Sequence, residues 1–303
     1  MPIGSYSSLD HLIVEITTSD GLSGSGEATV LPEFMGESKD EVLRDIELLA
    51  RQFKGADPED LDHLHATVDR LLPSCRSARA ALDEACHDIT GKNLGLPVWP
   101  LLGQRRRDRL ECTWVIGLKG PNETVDDARV GQSRGYRTFK VKVGENDEDD
   151  LLKVRLLREA LGDEALIRLD ANGAYSPERS LTVLDRLVPF GLEMIEQPCP
   201  ASELAGMAQL RRLLGVKILA DESVFSAAGA ERVIDAGAAD LVNIKVQKLG
   251  GLRPTGQVAR LVENAGLACI VGSCLEAGPG VGASAHFAVT CTSAEGASDL
   301  SAG

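Results

Sequence analysis

Five short apolar runs in the last two-thirds of the chain carry or end in an ionisable residue. They are TFKVKVG with Lys140 and Lys142, LIRLDAN with Asp170, EMIEQP with Glu196, KILADES with Asp221 and LVNIKV with Lys245. From Lys142 onward each such group follows the last by about 25 residues, the length of one strand, one helix and two short loops. A charge on the buried end of a strand is costly unless something there uses it, so the recurrence predicts a ring of strand-end groups at a barrel mouth. Lys140 and Lys142 are two apart on one strand and face the same side. Close ammonium groups and partial desolvation both lower a lysine pKa toward that of a usable base. A surface strand also carries Lys-x-Lys for no chemical reason, but Lys245 on another strand end speaks against that reading.

Asp170, Glu196 and Asp221 come from three consecutive strands, whose ends a barrel sets side by side. One such acid alone reads as a helix cap or a salt-bridge partner. Three unpaired would repel, and a hard divalent cation such as Mg2+ removes the conflict. Asn172 shares a face with Asp170 and is expected to support the metal shell, while Glu222 should point away or toward a lysine. A carboxylate metal site beside lysines on two strands suits removal of a proton α to a carboxylate, with the cation stabilising the enediolate.

These groups need a scaffold, and the chain supplies its pattern. Strands are predicted at 111–117, 138–143, 166–170, 193–196, 217–221, 240–246, 267–273 and 297–300, with amphipathic helices between, including 148–161, 177–189, 203–214, 227–236 and 253–265. Strict alternation demands parallel strands with right-handed crossovers. Eight strands close a barrel, and no Gly-rich phosphate turn points to an open nucleotide-binding sheet. Before residue 110 the pattern differs. Residues 9–17 alternate, Asp20-Gly21 signals a hairpin turn, and LSGSGEAT returns. Helices are predicted near 38–53, 58–72 and 77–92, the second starting after Asp57-Pro58, and the whole reads as a small α+β unit.

At FKVKVG, RLDANGAY, MIEQP, LADES, NIKVQKLGG and GSCLEAGPGVGASAH the chain resembles the enolase superfamily, in its muconate-lactonizing (muconate cycloisomerase) subgroup, from about residue 9 to the C-terminus. The resemblance implies an α/β fold: an N-terminal α+β capping domain, residues 1–106, on a modified TIM barrel, (β/α)7β, residues 107–303. It implies Asp170, Glu196 and Asp221 as Mg2+ ligands, with Mn2+ as a substitute ion. Lys142 would be the acid/base on one face of the substrate and Lys245 its counterpart on the other. Lys140 would steer the substrate carboxylate and tune Lys142. Glu276 and Asp299 match acids on the last two barrel strands and are expected at the substrate, Asp299 standing where cycloisomerases carry a glutamate. Trp114, on the first barrel strand, is a candidate pocket residue, core filling being the other reading. Against the family pattern the chain begins near the usual second cap strand and ends just after the eighth barrel strand, which implies a trimmed or reduced cap and affects substrate closure. Dipeptide epimerases of the subgroup commonly carry Asp-x-Asp on the last strand; here Asp299-Leu300-Ser301 lacks the second acid.

With 303 residues the chain has room for both units, and 43% apolar with 26% charged residues is ordinary for a globular protein. Its net charge of −14 argues against a nucleic-acid or anionic-membrane partner. Seven cysteines without a CxxC pair read as free thiols in a reducing compartment. No signal peptide or membrane span is evident, so a cytoplasmic protein is expected, acting on a small-molecule carboxylate and forming a homo-oligomer. His63 and His65 lie on different helix faces, and His286 reads as a packed residue. Cys274 lacks a partner base, and Gly278-Pro279-Gly280 reads as a tight turn before a helix. The leading expectation is an Mg2+-dependent isomerase of cycloisomerase type. The alternatives are a racemase or epimerase of N-acyl amino acids or dipeptides, an acid-sugar or o-succinylbenzoate-type dehydratase, and a truncated barrel retained as a scaffold.

Overall fold

The computed structural model describes residues 8–300; the segment before residue 8 and Ser301 lie outside the described residues. Strands β1 (Asp10–Thr17) and β2 (Ser23–Val30) form an antiparallel hairpin. Its turn follows the Asp-Gly signal: Gly21 adopts φ 90°, and the Thr18 N–H donates to the Leu22 carbonyl at 2.8 Å. Helix α1 (Pro32–Met35) is a single turn, followed by α2 (Lys39–Gln52), α3 (Leu61–Leu71) and α4 (Ser77–Leu94). A capping box of Ser38 and Glu41 starts α2. Helix α3 begins later than the Asp57-Pro58 signal predicts, because Asp60 caps it, accepting from the His63 N–H at 2.9 Å. Asp57 instead closes a local turn with the Glu59 N–H.

The hairpin lies directly on α4. A Cβ on Gly26 would sit 1.9 Å from the Ala81 carbonyl oxygen, and one on Gly24 would sit 2.4 Å from that of Ala85. Only glycine lets the strand backbone meet the helix at this distance. Behind this contact Ala28, Val42, Leu49, Leu64, Val68 and Leu82 belong to a core of their own.

A short helix, α5 (Trp99–Leu102), leads to the alternating part of the chain. In order come β3 (Trp114–Ile116), α6 (Pro121–Ser133), β4 (Thr138–Lys142), α7 (Asp147–Leu161), β5 (Leu166–Asp170) and α8 (Pro177–Leu187). Then follow β6 (Leu192–Glu196), α9 (Leu204–Leu213), β7 (Lys217–Ala220), α10 (Ala227–Asp235) and β8 (Leu241–Ile244). Helices α11 (Val246–Leu249) and α12 (Leu252–Asn264), strand β9 (Ala268–Val271) and α13 (Gly278–Thr290) complete the series. Strands β3 to β9 pair in parallel in chain order.

The expected strand at 297–300 appears as isolated parallel bridges, Ser298 with Cys112 and Asp299 with Gly272. The Thr113 N–H donates to the Ser298 carbonyl and the Asp299 N–H to the Val271 carbonyl, each at 2.9 Å, so this segment joins the two outer strands as an eighth stave. The first barrel strand is correspondingly shorter than predicted, with Cys112 in that bridge. Strand β8 stops at Ile244 rather than 246, because Lys245 is already the residue preceding α11.

Successive strand residues face opposite sides, and here the two sides differ in kind. Outward, Phe139, Val141, Ile167, Leu169, Ile195, Ile218, Val242 and Ile244 join the helices in one core. Inward, Met194, Leu219, Leu241 and Ile270 form a small apolar plug, with the charged residues on the same inner face beyond it. Among the described residues no helix is long and apolar enough to cross a membrane.

The glycine contact gives a stability test. Gly26→Ala should destabilise the fold by about 3 kcal/mol, the upper end of usual overpacking costs. Gly282→Ala, inside α13 with nothing within 4 Å of the added Cβ, should be neutral or gain about 0.5–1 kcal/mol. Denaturant unfolding of both variants checks the contrast, and equal effects would refute the packing argument.

Candidate active site

Strand ends deliver the charged residues to one mouth. Lys142 pairs in register with Asp170, and Asp170 with Glu196, so the three side chains share an inner layer. Asp221 follows β7 and is oriented by Gln197, whose Oε1 accepts from the Asp221 and Ser223 N–H groups at 2.9 and 3.2 Å. Gln197 itself sits at φ 35° and Asn172 at φ 43°, both in the left-handed region where a side chain costs energy.

The acids are not left unpaired. Lys140 Nζ lies 2.6 Å from Glu196 Oε2 and 3.1 Å from both Asp170 Oδ2 and Asp299 Oδ2. Lys142 Nζ donates to Asp170 Oδ2 and Asn172 Oδ1, each at 2.6 Å. Lys245 Nζ meets Asp221 Oδ2 at 2.7 Å and lies 4.5 Å from the centre of the Phe34 ring on α1. Lys248, fully buried on α11, donates to Asp221 Oδ1 at 2.8 Å and to the carbonyls of Asp221 and Asn243. Asn243 Nδ2 in turn donates to Glu196 Oε1 at 2.9 Å. Lysines therefore supply positive charge among these acids. Among the described residues no three His, Cys, Asp or Glu side chains group as a metal cage. The donor chemistry nonetheless suits a hard cation, since Asp170, Glu196 and Asp221 offer only oxygen.

Electrostatics corrects one expectation. Burial alone would pull Lys140 and Lys245 down, but Asp170, Asp299 and Glu196 around the first and Asp221 beside the second outweigh it and hold both ammoniums above the ordinary lysine value. The lysine lowered by burial is Lys248. Burial also pushes Asp170 up, yet Lys140 and Lys142 bring it down to about 2. Glu196 rises to about 8 through burial and the nearby Asp170. Asp221 falls below the usual carboxylate range because Lys245 and Lys248 more than offset its burial.

Several expected residues take other roles. Trp114 is in register with Phe139 on the outward face. Its ring packs 5.0 Å from that of Tyr136, and its Nε1 donates to Asp127 Oδ1 at 3.0 Å, so it belongs to the helix layer and not the pocket. Asp299 is on the inner face, but its Oδ2 meets Lys140 and its Oδ1 meets Arg168 at 3.2 Å, which makes it a support beneath the mouth. Asn172 bonds Lys142 and, through Nδ2, Glu222 Oε1 at 2.8 Å, so Glu222 turns toward an amide rather than away or to a lysine. Glu276 is buried near Lys245, accepts from the Cys274 N–H at 2.8 Å, and is pushed up to about 7 by burial. His65 binds Asp83, His63 packs on Phe53, and His286 accepts from the Trp99 N–H, all outside the mouth.

Lys248, Gln197, Asn243 and Phe34 are contributors the sequence reading did not single out. Lys248 had a signal, lying three residues after Lys245 where a helical turn returns to the same face. Phe34 had none, since its position depends on how the cap sits on the barrel.

Comparison with known proteins agrees with this architecture. The family described as mandelate racemase/muconate lactonizing enzyme, N-terminal domain, matches residues 1–103, and that described as enolase C-terminal domain-like matches residues 123–301. A hydrophobic dipeptide epimerase from Enterococcus faecalis is 33% identical over 94% of this chain and 81% of its own. Muconate cycloisomerase 1 from Rhodococcus opacus is 34% identical over 91% and 76%. The crystal structure of the dipeptide epimerase from Enterococcus faecalis V583, complexed with Mg and the dipeptide L-Leu-L-Tyr, superposes with a TM-score of 0.95 at 32% identity, covering 98% of this chain and 84% of that one. A capping unit and a lysine- and acid-lined barrel, matched along nearly the whole chain, make this protein an isomerase of the enolase superfamily, in its mandelate racemase/muconate lactonizing enzyme branch.

Proposed function

We propose that the enzyme removes and returns the proton α to the carboxylate of an N-acylated amino acid or dipeptide, with Lys142 and Lys245 acting on opposite faces of one carbon. The placement of the two ammonium groups carries this reading. Lys142 is anchored by Asp170 and Asn172 on one side of the acid ring, and Lys245 by Asp221 on the other, from the second and sixth of eight staves. A lysine that has shed its proton on one face takes the substrate's, and the protonated lysine opposite returns one, which inverts the centre. Lys140 keeps Asp170, Glu196 and Asp299 fixed beneath them. Phe34 covers Lys245 and limits water there. Asp170, Glu196 and Asp221 would hold Mg2+, or Mn2+ in its place; the bound ion supplies charge stabilisation to the enediolate. Glu276, beside Lys245, faces the substrate region in this reading.

The same proposal takes residues 1–106 as the cap and 107–303 as the barrel, in a cytoplasmic homo-oligomer. The cysteines of the described residues are all free thiols, which suits a reducing compartment.

Unequal settings of the two lysines favour a second reading, muconate-like cycloisomerisation, in which one lysine moves a proton and the other supplies charge. The Lys142 side chain keeps 22% exposure and that of Lys245 only 10%. Two of the sequence grounds for preferring it are weaker, since Trp114 faces outward and Asp299 is engaged with Lys140 and Arg168.

Two measurements test these readings. In deuterated water, Lys142→Ala should abolish α-proton exchange of one substrate enantiomer and Lys245→Ala that of the other, each by about 100-fold or more. Loss of all exchange in one variant with none lost in the other would select the single-base cycloisomerase. Chelation by EDTA should stop turnover, with Mg2+ restoring it, and Asp170→Asn, Glu196→Gln and Asp221→Asn should each weaken Mg2+ binding measured by calorimetry. Full activity in chelator would rule out the metal.

A further inference from the structure

We propose that Glu222 is a positioning residue for Lys142: acting through the Asn172 amide, it sets the direction of that ammonium by a hydrogen-bonded tie that Lys245 does not share. The inference rests on the two-lysine reading of the site and adds a residue to it.

Lys142 Nζ donates to Asn172 Oδ1 at 2.6 Å, and Asn172 Nδ2 donates to Glu222 Oε1 at 2.8 Å. The backbone of Asn172 is held in the left-handed region at φ 43°, with its N–H on Asp170 Oδ1 at 3.1 Å and the next N–H, of Gly173, on the Gln197 carbonyl at 2.7 Å. With the backbone fixed, the remaining freedom is rotation of the amide. The two ends of an asparagine amide are alike in shape and opposite in polarity, so shape does not choose between them. An ammonium has donors only. If the amide turned over, Nδ2 would face Nζ, donor against donor, and Lys142 would keep only Asp170 Oδ2, which it shares with Lys140.

Glu222 favours this orientation through Oε1, which accepts from Nδ2 and so leaves Oδ1 to the ammonium. The other oxygen, Oε2, is shut off from solvent and has no hydrogen-bond partner among the described residues, so no competing bond turns the carboxylate elsewhere. Lys245 is set by different groups, Asp221 Oδ2 and the Phe34 ring. The positional effect of Glu222 should therefore fall chiefly on one face of the substrate carbon.

Glu222→Met and Glu222→Gln test this. In deuterated water the Met variant should exchange the Lys142-dependent enantiomer, identified by its loss in Lys142→Ala, about ten- to a hundredfold more slowly. Exchange of the Lys245-dependent enantiomer, whose lysine has no hydrogen bond to Asn172 or Glu222, should fall far less, by no more than about twofold. The Gln variant, whose Oε1 still accepts from Asn172, should recover most of the loss. Equal losses on both faces, as a general structural defect would give, overturn the proposal, and so does no loss at all. The Asn172 side-chain amide supplies a readout independent of turnover. Its hydrogens should exchange slowly in the wild type and the Gln variant and rapidly in the Met variant, by NMR. Persistent protection in the Met variant refutes the tie. A wild type that exchanges neither enantiomer, or only one, refutes the two-lysine reading instead.

Discussion

The buried ammonium of Lys140 binds three carboxylates that come from three different staves: Asp170 from β5, Glu196 from β6 and Asp299 from the closing segment. Asp299 also meets Arg168, which reaches the Ala297 carbonyl at 2.8 Å and Glu193 at 2.7 Å. The ionic layer that presents the acids to the mouth is thus the layer that fastens the eighth stave, where the ladder is reduced to isolated bridges. Buried ions tolerate this only when every one is paired, and removing one partner typically costs about 3–5 kcal/mol. Loss of Lys140 would therefore weaken barrel closure and expose the repulsion among the acids together.

The cap adds a second constraint, and it falls on one side. Glu27 on β2 accepts from the Ala277 and Gly280 N–H groups at 2.7 and 3.0 Å, so a cap residue satisfies the first turn of barrel helix α13. Gln247 on α11 donates to Glu84 on α4 at 2.9 Å, and Asp83 accepts from the Leu252 N–H. Gly251 permits that approach, since a Cβ there would lie 2.5 Å from Asp83. All these ties meet the elements that carry Lys245, Lys248 and Glu276. Phe34 rests over the same lysine, while Lys142, held by β5 and its loop, stays more open. The two lysines sit in unlike surroundings because the cap is seated on one of them.

The barrel was legible because its outward residues and strand-end charges obey a period of two within strands and a repeat of about 25 residues between them. Those signals place Lys140, Lys142, Asp170, Glu196, Asp221 and Lys245 on the inner face correctly. Periodicity tells which face a residue takes only where the strand is regular. Trp114 lies at an end of a strand only three residues long, beside the bridged closing stave, and of its two readings, pocket lining and core filling, the structure shows the second. The pKa direction expected of Lys140 failed for another reason. Two like charges were weighed in the sequence, whereas the folded site sets each lysine against acids from other strands, and those partners are non-local. The start of α3 turned on whether Asp57 or Asp60 served as the cap, a local choice that two similar signals leave open.

The balance of charge at the mouth bears on what the site is built to receive. Lys140, Lys142, Lys245 and Lys248 face Asp170, Glu196, Asp221, Glu222, Glu276 and Asp299, so acids outnumber lysines by two. Arg168 does not change this, since Glu193 pairs with it. In a poorly screened interior an excess of this kind falls on the least compensated carboxyls, and Glu196, Glu222 and Glu276 are the ones pushed toward their neutral forms. With all six acids ionised the excess is two negative charges, which two positive charges would cancel. A monovalent ion would leave half of it, and a further carboxylate from the substrate would enlarge it. An anionic substrate and a divalent cation would therefore suit this mouth together, the charge of the ion offsetting the acids and making room for a carboxylate.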